Sequence, residues 1–169
     1  DGVRKQKLRH VFAGRLVLAL ALAAAAGGTH GTGEAFAQQT GALGSMPAPF
    51  QKWLQEDIVY IISPVERAAF VRLTSDPERQ RFIEQFWLRR DPSPGTAQNE
   101  YKEEHYRRIA YANQRFRGEQ PGWNTHRGRI YIVYGPPDEI EAHPSKGMQR
   151  WIYREDMFAG LILEFRDLN

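Results

Sequence analysis

Cysteine is absent from this 169-residue chain, and the signatures of several kinds of chemistry are absent with it. Without a thiol the protein forms no disulfide, carries no lipid on cysteine and uses no thiolate nucleophile. The sequence also lacks a Gly-x-Ser-x-Gly elbow. Its glycine pairs near residue 30 do not come after a strand pattern, whereas the glycines of a phosphate-binding loop do. We therefore expect neither nucleophilic catalysis of these kinds nor a cofactor.

Most of the chain carries no excess of positive charge. The sequence has 23 Lys and Arg against 20 Asp and Glu, a net charge of +3. Five of those basic residues and two of the acidic ones precede residue 38, so residues 38–169 carry 18 of each. A neutral domain lacks the electrostatic footprint of a phosphate-backbone binder, so we expect no nucleic acid among its partners.

Long apolar runs are limited to one near the beginning of the sequence. Residues 4–15 are basic, residues 16–26 (LVLALALAAAA) are apolar, and Ala35-Phe36-Ala37 supplies a small-x-small site before Gln38. This order is typical of a secretory signal peptide, and the run covers only about half of the ~20 residues that a membrane-spanning helix needs. We predict a signal peptide over 1–37, cleavage after Ala37 and a periplasmic or extracellular protein whose mature domain has no transmembrane span. An uncleaved tether is the alternative.

The rest of the chain reads as helices followed by strands. Residues 38–49 have the composition of a flexible leader. Apolar residues then recur at helical spacing, and Ser63-Pro64 and Asp76-Pro77 are typical helix starts. We predict about four helices, over 50–62, 64–73, 76–90 and 98–116.

After Gly122 the apolar period changes to two. Residues 129–134 (RIYIVY), 149–154 and 161–166 predict three strands, the first of them covered on both faces. The expected fold is α+β, with N-terminal helices packed on a small antiparallel three-stranded sheet in a domain spanning 50–169. Because the sequence stops directly after a predicted strand, an accessory domain truncated from a longer protein is one alternative.

A series of short motifs runs through both halves. In chain order they are Trp53-Leu54 with Glu56-Asp57, Glu66-Arg67, Phe82-Ile83-Glu84 with Phe86-Trp87, Arg90-Asp91-Pro92, Asn99-Glu100, Gly122-Trp123-x-Thr125 and Arg127 to Asp138. Together they resemble the GWxTD domain family of bacterial exported proteins, from about Pro49 to Phe165. The resemblance implies the extent of the domain and an exported setting, and it implies no reaction. His126 stands where the motif ends in Asp, so a carboxylate there is not essential unless this protein has lost the function.

Residues 122–140 (GWNTHRGRIYIVYGPPDEI) are the main candidate for a functional surface. Architecture explains much of the pattern, with Thr125 capping the next turn and Gly128 taking positive φ. A binding surface is the functional interpretation, because Trp, Tyr and Arg dominate binding hot spots and suit glycans or peptides. The candidate binding residues are Trp123, Thr125, Arg127, Arg129, Tyr131, Tyr134 and Asp138.

Two groups of carboxylates supply an enzymatic alternative. Glu100 and Glu104 share a helix face, but His105 lies five residues from Glu100, where a metal motif needs three or four. A solvated helix face with a buried histidine explains this group without chemistry. The second group lies in a predicted acidic loop and lacks the spacing of an EF-hand. Its members are Asp138, Glu139, Glu141 and His143.

The sequence therefore favours a non-enzymatic, exported domain that binds a protein or a cell-envelope component through Trp123–Asp138, with no metal. The alternative is a hydrolase or metal-assisted enzyme that acts on envelope material with Glu100, Glu104 or Asp138. An enzyme needs titratable groups that converge in a cleft, whereas a binding module needs an exposed aromatic patch.

Overall fold

The structure, a computed structural model, describes residues 44–154 and 160–166. The predicted signal peptide and the first part of the predicted leader lie outside the described residues. The described residues form five helices, α1 Ala48–Lys52, α2 Pro64–Val71, α3 Asp76–Leu88, α4 Glu100–Arg115 and α5 His126–Tyr134. They also form three strands, β1 Glu139–His143, β2 Met148–Tyr153 and β3 Leu161–Arg166. The α+β class is confirmed, and none of these helices is long and apolar enough to cross a bilayer.

Capping boxes start α2 and α3. The side chain of Ser63 accepts a hydrogen bond from the Glu66 amide, while the Glu66 carboxylate accepts one from the Ser63 amide. Ser75 and Glu78 make the same reciprocal pair at the start of α3, so the cap lies one residue before the predicted Asp76. Each box satisfies amide groups that the first helical turn leaves without partners.

A helical core holds α1, α2 and α3 together. Trp53 lies at its centre, at the start of a π-helical turn over Trp53–Asp57, with ring centroids 4.9 Å from Phe70 and 5.2 Å from Phe86. Met46 is 2% exposed in this core, so the folded part of the chain already includes residue 46, before the predicted domain start at residue 50. The buried members are Met46, Trp53, Leu54, Ile58, Phe70, Val71, Phe86 and Trp87.

An ion pair fastens the start of α2 to the end of α3. Arg90 donates to Glu66 Oε2 at 2.8 Å, and its guanidinium lies 3.6 Å from the centroid of the Phe86 ring. Burial raises the pKa of the Glu66 carboxyl, but hydrogen bonds from Arg90, Ser63 and Arg89 outweigh burial and lower this pKa to about 2.

Residues 126–134 form helix α5, so the strand predicted at 129–134 is wrong. The helix packs against α4 on one side, and its Tyr131 and Tyr134 contact the sheet. The exposed positions of this helix include the apolar Val133, and a short run that is apolar on every side does not distinguish a strand from a helix. The first strand is instead β1, which the sequence interpretation assigned to an acidic loop.

The sheet has the order β1-β2-β3 and is antiparallel throughout. Its inner face packs Trp151, which is 1% exposed, against Phe116 of α4's end and Phe165 of β3 at centroid distances of 5.5 Å and 4.8 Å. We call Tyr111, Phe116, Tyr131, Trp151 and Phe165 the aromatic layer. It joins α4 and α5 to the sheet.

Candidate functional site

The connection between α4 and α5 depends on two glycines. A Cβ at Gly122 would lie 1.9 Å from the Ala112 carbonyl oxygen, and one at Gly128 would lie 1.8 Å from the Gly122 carbonyl oxygen. The positive φ predicted at Gly128 is wrong, because the positive-φ glycines of the described residues are Gly135, Gly147 and Gly160. Close backbone approach is what requires glycine here.

Thr125 closes the connection from the other side. It is the N-cap of α5, and its Oγ1 accepts a hydrogen bond from the Gly128 amide at 3.0 Å and donates one to the Gly122 carbonyl at 2.8 Å. The predicted capping role is confirmed. His126 follows at the first helical position and is exposed, so the departure from the Asp of the motif lies on the surface.

Trp123 is fixed through its main chain, and the residue as a whole is half-buried. Its amide donates to Asn113 Oδ1 at 2.9 Å, its carbonyl accepts from the Tyr60 hydroxyl at 3.1 Å, and its ring lies 6.3 Å from that of Tyr60. The other three tryptophans are 5% exposed or less, two of them in the helical core and one in the aromatic layer. Trp123 is therefore the tryptophan with surface to offer a ligand.

A cleft of about 510 Å³ lies beside this indole. We call it the Trp123 cleft. Glu56 and Asp57 border it from the π-helical turn, where both pair with Lys52, while the exposed Arg117, Glu119 and Gln120 border it from the α4–α5 connection. The cleft thus joins one apolar ring to several hydrogen-bonding groups, an arrangement that fits a polar ligand with one flat apolar face.

The GWxTD domain is the family whose sequence pattern matches this chain, over residues 47–168. The chain belongs to the GWxTD domain family. Neither the curated proteins nor the solved structures compared with the chain contain a match. Within the motif, Gly122 and Thr125 build the turn, Trp123 borders the cleft, and His126 replaces the Asp.

The tyrosines of the GWxTD domain predicted to bind are part of its packing. Tyr131 stacks on Tyr111 with centroids 4.3 Å apart, and Tyr134 lies 5.9 Å from Tyr153. Burial raises the pKa of both Tyr131 and Tyr153. The Tyr153 hydroxyl donates to the Gly135 carbonyl at 3.0 Å, which ties the end of α5 to the sheet.

The charged candidates lie apart from one another. Arg127 lies over the Phe165 ring at 5.3 Å, and Arg129 lies over the Tyr60 ring at 5.5 Å. Asp138 accepts a hydrogen bond from the Arg154 amide at 2.7 Å in the turn before β1. Thr125 and Arg127 line a second groove of about 830 Å³, between the end of α4, the first turn of α5 and one end of the sheet. The predicted binding residues therefore do not form one patch.

The carboxylates proposed for catalysis lie outside the Trp123 cleft. Glu104 accepts from Arg108 Nε at 2.8 Å, and Arg108 also donates to the Ile132 carbonyl at 3.2 Å. His105 is 4% exposed, with Nε2 2.6 Å from the Asp57 carbonyl oxygen, and burial lowers its pKa. Glu100 occupies the first position of α4.

The acidic loop predicted as a metal candidate is strand β1 and its approach. Glu139 pairs with Arg154, while Glu141 lies 3.5 Å from Arg150 and 3.7 Å from His143 Nε2. Among residues 44–154 and 160–166, no three His, Asp or Glu side chains converge as metal ligands would.

Sequence reasoning missed the polar rim of the Trp123 cleft. Arg117, Glu119 and Gln120 lie between the last turn of α4 and Pro121, where the sequence interpretation placed only a helix end. Their signal was present in the run RGEQ (117–120), since charged and amide side chains in a short connection point outward by default.

Proposed function

We propose that this chain is an exported, non-enzymatic binding domain that holds a protein or a cell-envelope ligand at the Trp123 cleft. The supporting observation is the state of Trp123, whose main chain is fixed by Asn113 and Tyr60 while its ring borders an open cleft. An indole that is immobilised before binding loses little conformational entropy when a ligand covers it.

The architecture around the cleft favours binding over catalysis. Glu56 and Asp57 are the carboxylates that the π-helical turn contributes to the cleft, and each has Lys52 as an ion-pair partner. The Asp57 carbonyl additionally accepts the hydrogen bond from His105. Groups committed to such structural contacts position a ligand more readily than they transfer its protons.

The test is a capture experiment with cell-envelope extract and the 169-residue chain as bait. The variant Glu119→Lys/Gln120→Lys changes the rim of the cleft, and Glu84→Lys/Gln85→Lys changes an equivalent exposed pair on α3 that lines neither concave surface. We expect one ligand to be retained by the wild type and the α3 variant and lost by the rim variant. Equal retention by all three folded chains would contradict a site at the cleft.

Export is supported by the order of the basic, apolar and small-residue segments before Gln38. We expect the protein recovered from the source cells to begin at Gln38 and to fractionate outside the cytoplasm. N-terminal sequencing of the cellular protein tests this. A cytoplasmic protein that retains residues 1–37 would contradict export.

A further inference from the structure

The second groove differs in charge from the domain that contains it. Among the residues that the structure describes, four arginines line it, Arg115, Arg117, Arg127 and Arg166, and the one acidic lining residue is Glu164. Glu164 is already the partner of Arg150, whose Nε lies 2.9 Å from Oε1, and its Oε2 lies 3.9 Å from Arg166 Nη2, so one carboxylate is shared between two arginines. Residues 38–169 as a whole carry as many acidic as basic residues, so this groove concentrates positive charge on a neutral domain.

Arg115 and Arg117 are the arginines that most need an explanation. Some arginines elsewhere in the described fold pair with carboxylates, as Arg90 does with Glu66 and Arg150 with Glu164. Arg115 and Arg117 are exposed and make no ion pair or side-chain hydrogen bond within the described residues. They are therefore available to an anion from outside the domain.

The GWxTD motif residue at the rim increases this imbalance. The motif ends in Asp, and the corresponding side chain lines this groove at the first position of α5. In this chain the position is His126, so the carboxylate that would offset the arginines and the positive end of α5 is missing.

The apolar side chains of the groove indicate which kind of anion it binds. Phe116, Met148 and Phe165 contribute apolar surface between the arginines, and Arg127 lies across the Phe165 ring. The plane of lipid headgroups does not enter a groove, and a polyphosphate chain has no apolar group to cover such a floor. A peptide offers carboxylates for the rim and an apolar side chain for the floor.

We propose that the second groove binds an acidic, extended segment of a partner protein, with an apolar side chain between its carboxylates. This surface is distinct from the Trp123 cleft, although Arg117 borders both. The test variant therefore changes Arg115 and Arg166, which line the second groove but not the Trp123 cleft, and leaves Arg117 unchanged.

The experiment selects displayed random peptides on the 169-residue chain. We expect the selected pool to be enriched in Asp and Glu flanking an apolar residue. The enrichment should vanish on Arg115→Glu/Arg166→Glu and persist on Arg72→Glu/Arg81→Glu, which makes the same change in net charge at exposed positions outside the groove. Thermal melting of each variant shows that it is folded.

Binding of one selected peptide, followed by fluorescence anisotropy, gives the magnitude. We expect Kd to rise about tenfold or more in Arg115→Glu/Arg166→Glu, because each lost charge-assisted hydrogen bond costs about that factor. The conservative Arg115→Lys/Arg166→Lys variant should recover part of the affinity. A pool without acidic enrichment, or one equally enriched on the reversed variant, would overturn the proposal. So would arginine-dependent binding of anionic vesicles or an oligonucleotide without any acidic peptide.

Discussion

The helical core and the α4–α5 connection are stabilised in different ways. In the core, side chains fill the space between helices, and seven other buried residues belong to the cluster of Trp53. In the connection, main chain meets main chain at Gly122 and Gly128, and Thr125 bonds across the gap. The connection is held by its backbone, and the side chains of Arg117, Glu119 and Gln120 are exposed and make no hydrogen bond or ion pair within the described residues. The difference explains why the concave surfaces lie beside the connection.

The largest effect should come from adding one carbon to the connection. In Gly128→Ala the new Cβ would meet the Gly122 carbonyl at 1.8 Å, and neither backbone segment can move away without breaking the start of α5. We expect a loss of at least about 3 kcal/mol in the free energy of unfolding, measured by denaturant titration.

Gly118→Ala is the matched control, because nothing lies within 4 Å of its Cβ position. It should change the free energy of unfolding by no more than about 0.5 kcal/mol. If Gly128→Ala were equally mild, the connection would not be held by backbone contact and the contrast between the two regions would fail.

The two regions should also differ in what a tryptophan contributes. Trp53→Ala empties the centre of the helical core and should lower the free energy of unfolding by about 3–5 kcal/mol. Trp123→Ala should cost only about 1–2 kcal/mol, because the ring is half-buried and its main chain keeps both hydrogen bonds. Chemical denaturation of the two variants tests the ratio, and equal losses would place Trp123 in a core.

Glu66 gives the helical core a dependence on pH. Its pKa in the folded state, about 2, is below the ordinary value of 4.5, so its contribution is complete above pH 4.5 and is lost as the pH falls toward 2. We expect Glu66→Gln to cost about 2–3 kcal/mol near neutral pH and much less near pH 2. Melting of both chains across this range tests the prediction. A difference that did not change with pH would rule out the charge as its source.

The smallest effect should come from restoring the motif. His126→Asp places a carboxylate in the first turn of α5, where the helix dipole favours negative charge, and should add about 0.3–1 kcal/mol. The gain should shrink in high salt, as a melting series would show. The same variant should bind the selected acidic peptides more weakly. A stabilised chain with unchanged peptide affinity would show that residue 126 affects the stability of α5 but not binding in the second groove.

The sequence predicted the helical core well and the α5 region poorly, for physical reasons. Around Ser63 and Ser75, caps and helical periodicity gave the same answer, because each helix there has one solvent face. In residues 129–134 the exposed face of α5 carries the apolar Val133 beside Arg129, so the helical period has no clear polar face and the aromatic alternation then resembles a strand. The carboxylates of Glu139–His143 are typical of an acidic loop by sequence, whereas in the structure Arg150 and Arg154 pair with Glu141 and Glu139 across the sheet.

The candidate site was only partly predictable. Trp123 and Thr125 were identified from composition and turn chemistry, which are local properties. The rim residues Glu119 and Gln120 reach the cleft only because α4 and the π-helical turn meet there, and no spacing in the sequence encodes that contact.

Site-specific photo-crosslinking in the source cells shows whether the Trp123 cleft contacts a ligand. A benzophenone amino acid replaces Gln120 at the rim of the Trp123 cleft in one chain and the exposed Gln85 of α3 in the other. We expect a discrete adduct at position 120, identified by mass spectrometry, and none at position 85. The same adducts at both positions, or an adduct at position 85 alone, would contradict a binding surface beside the GWxTD motif.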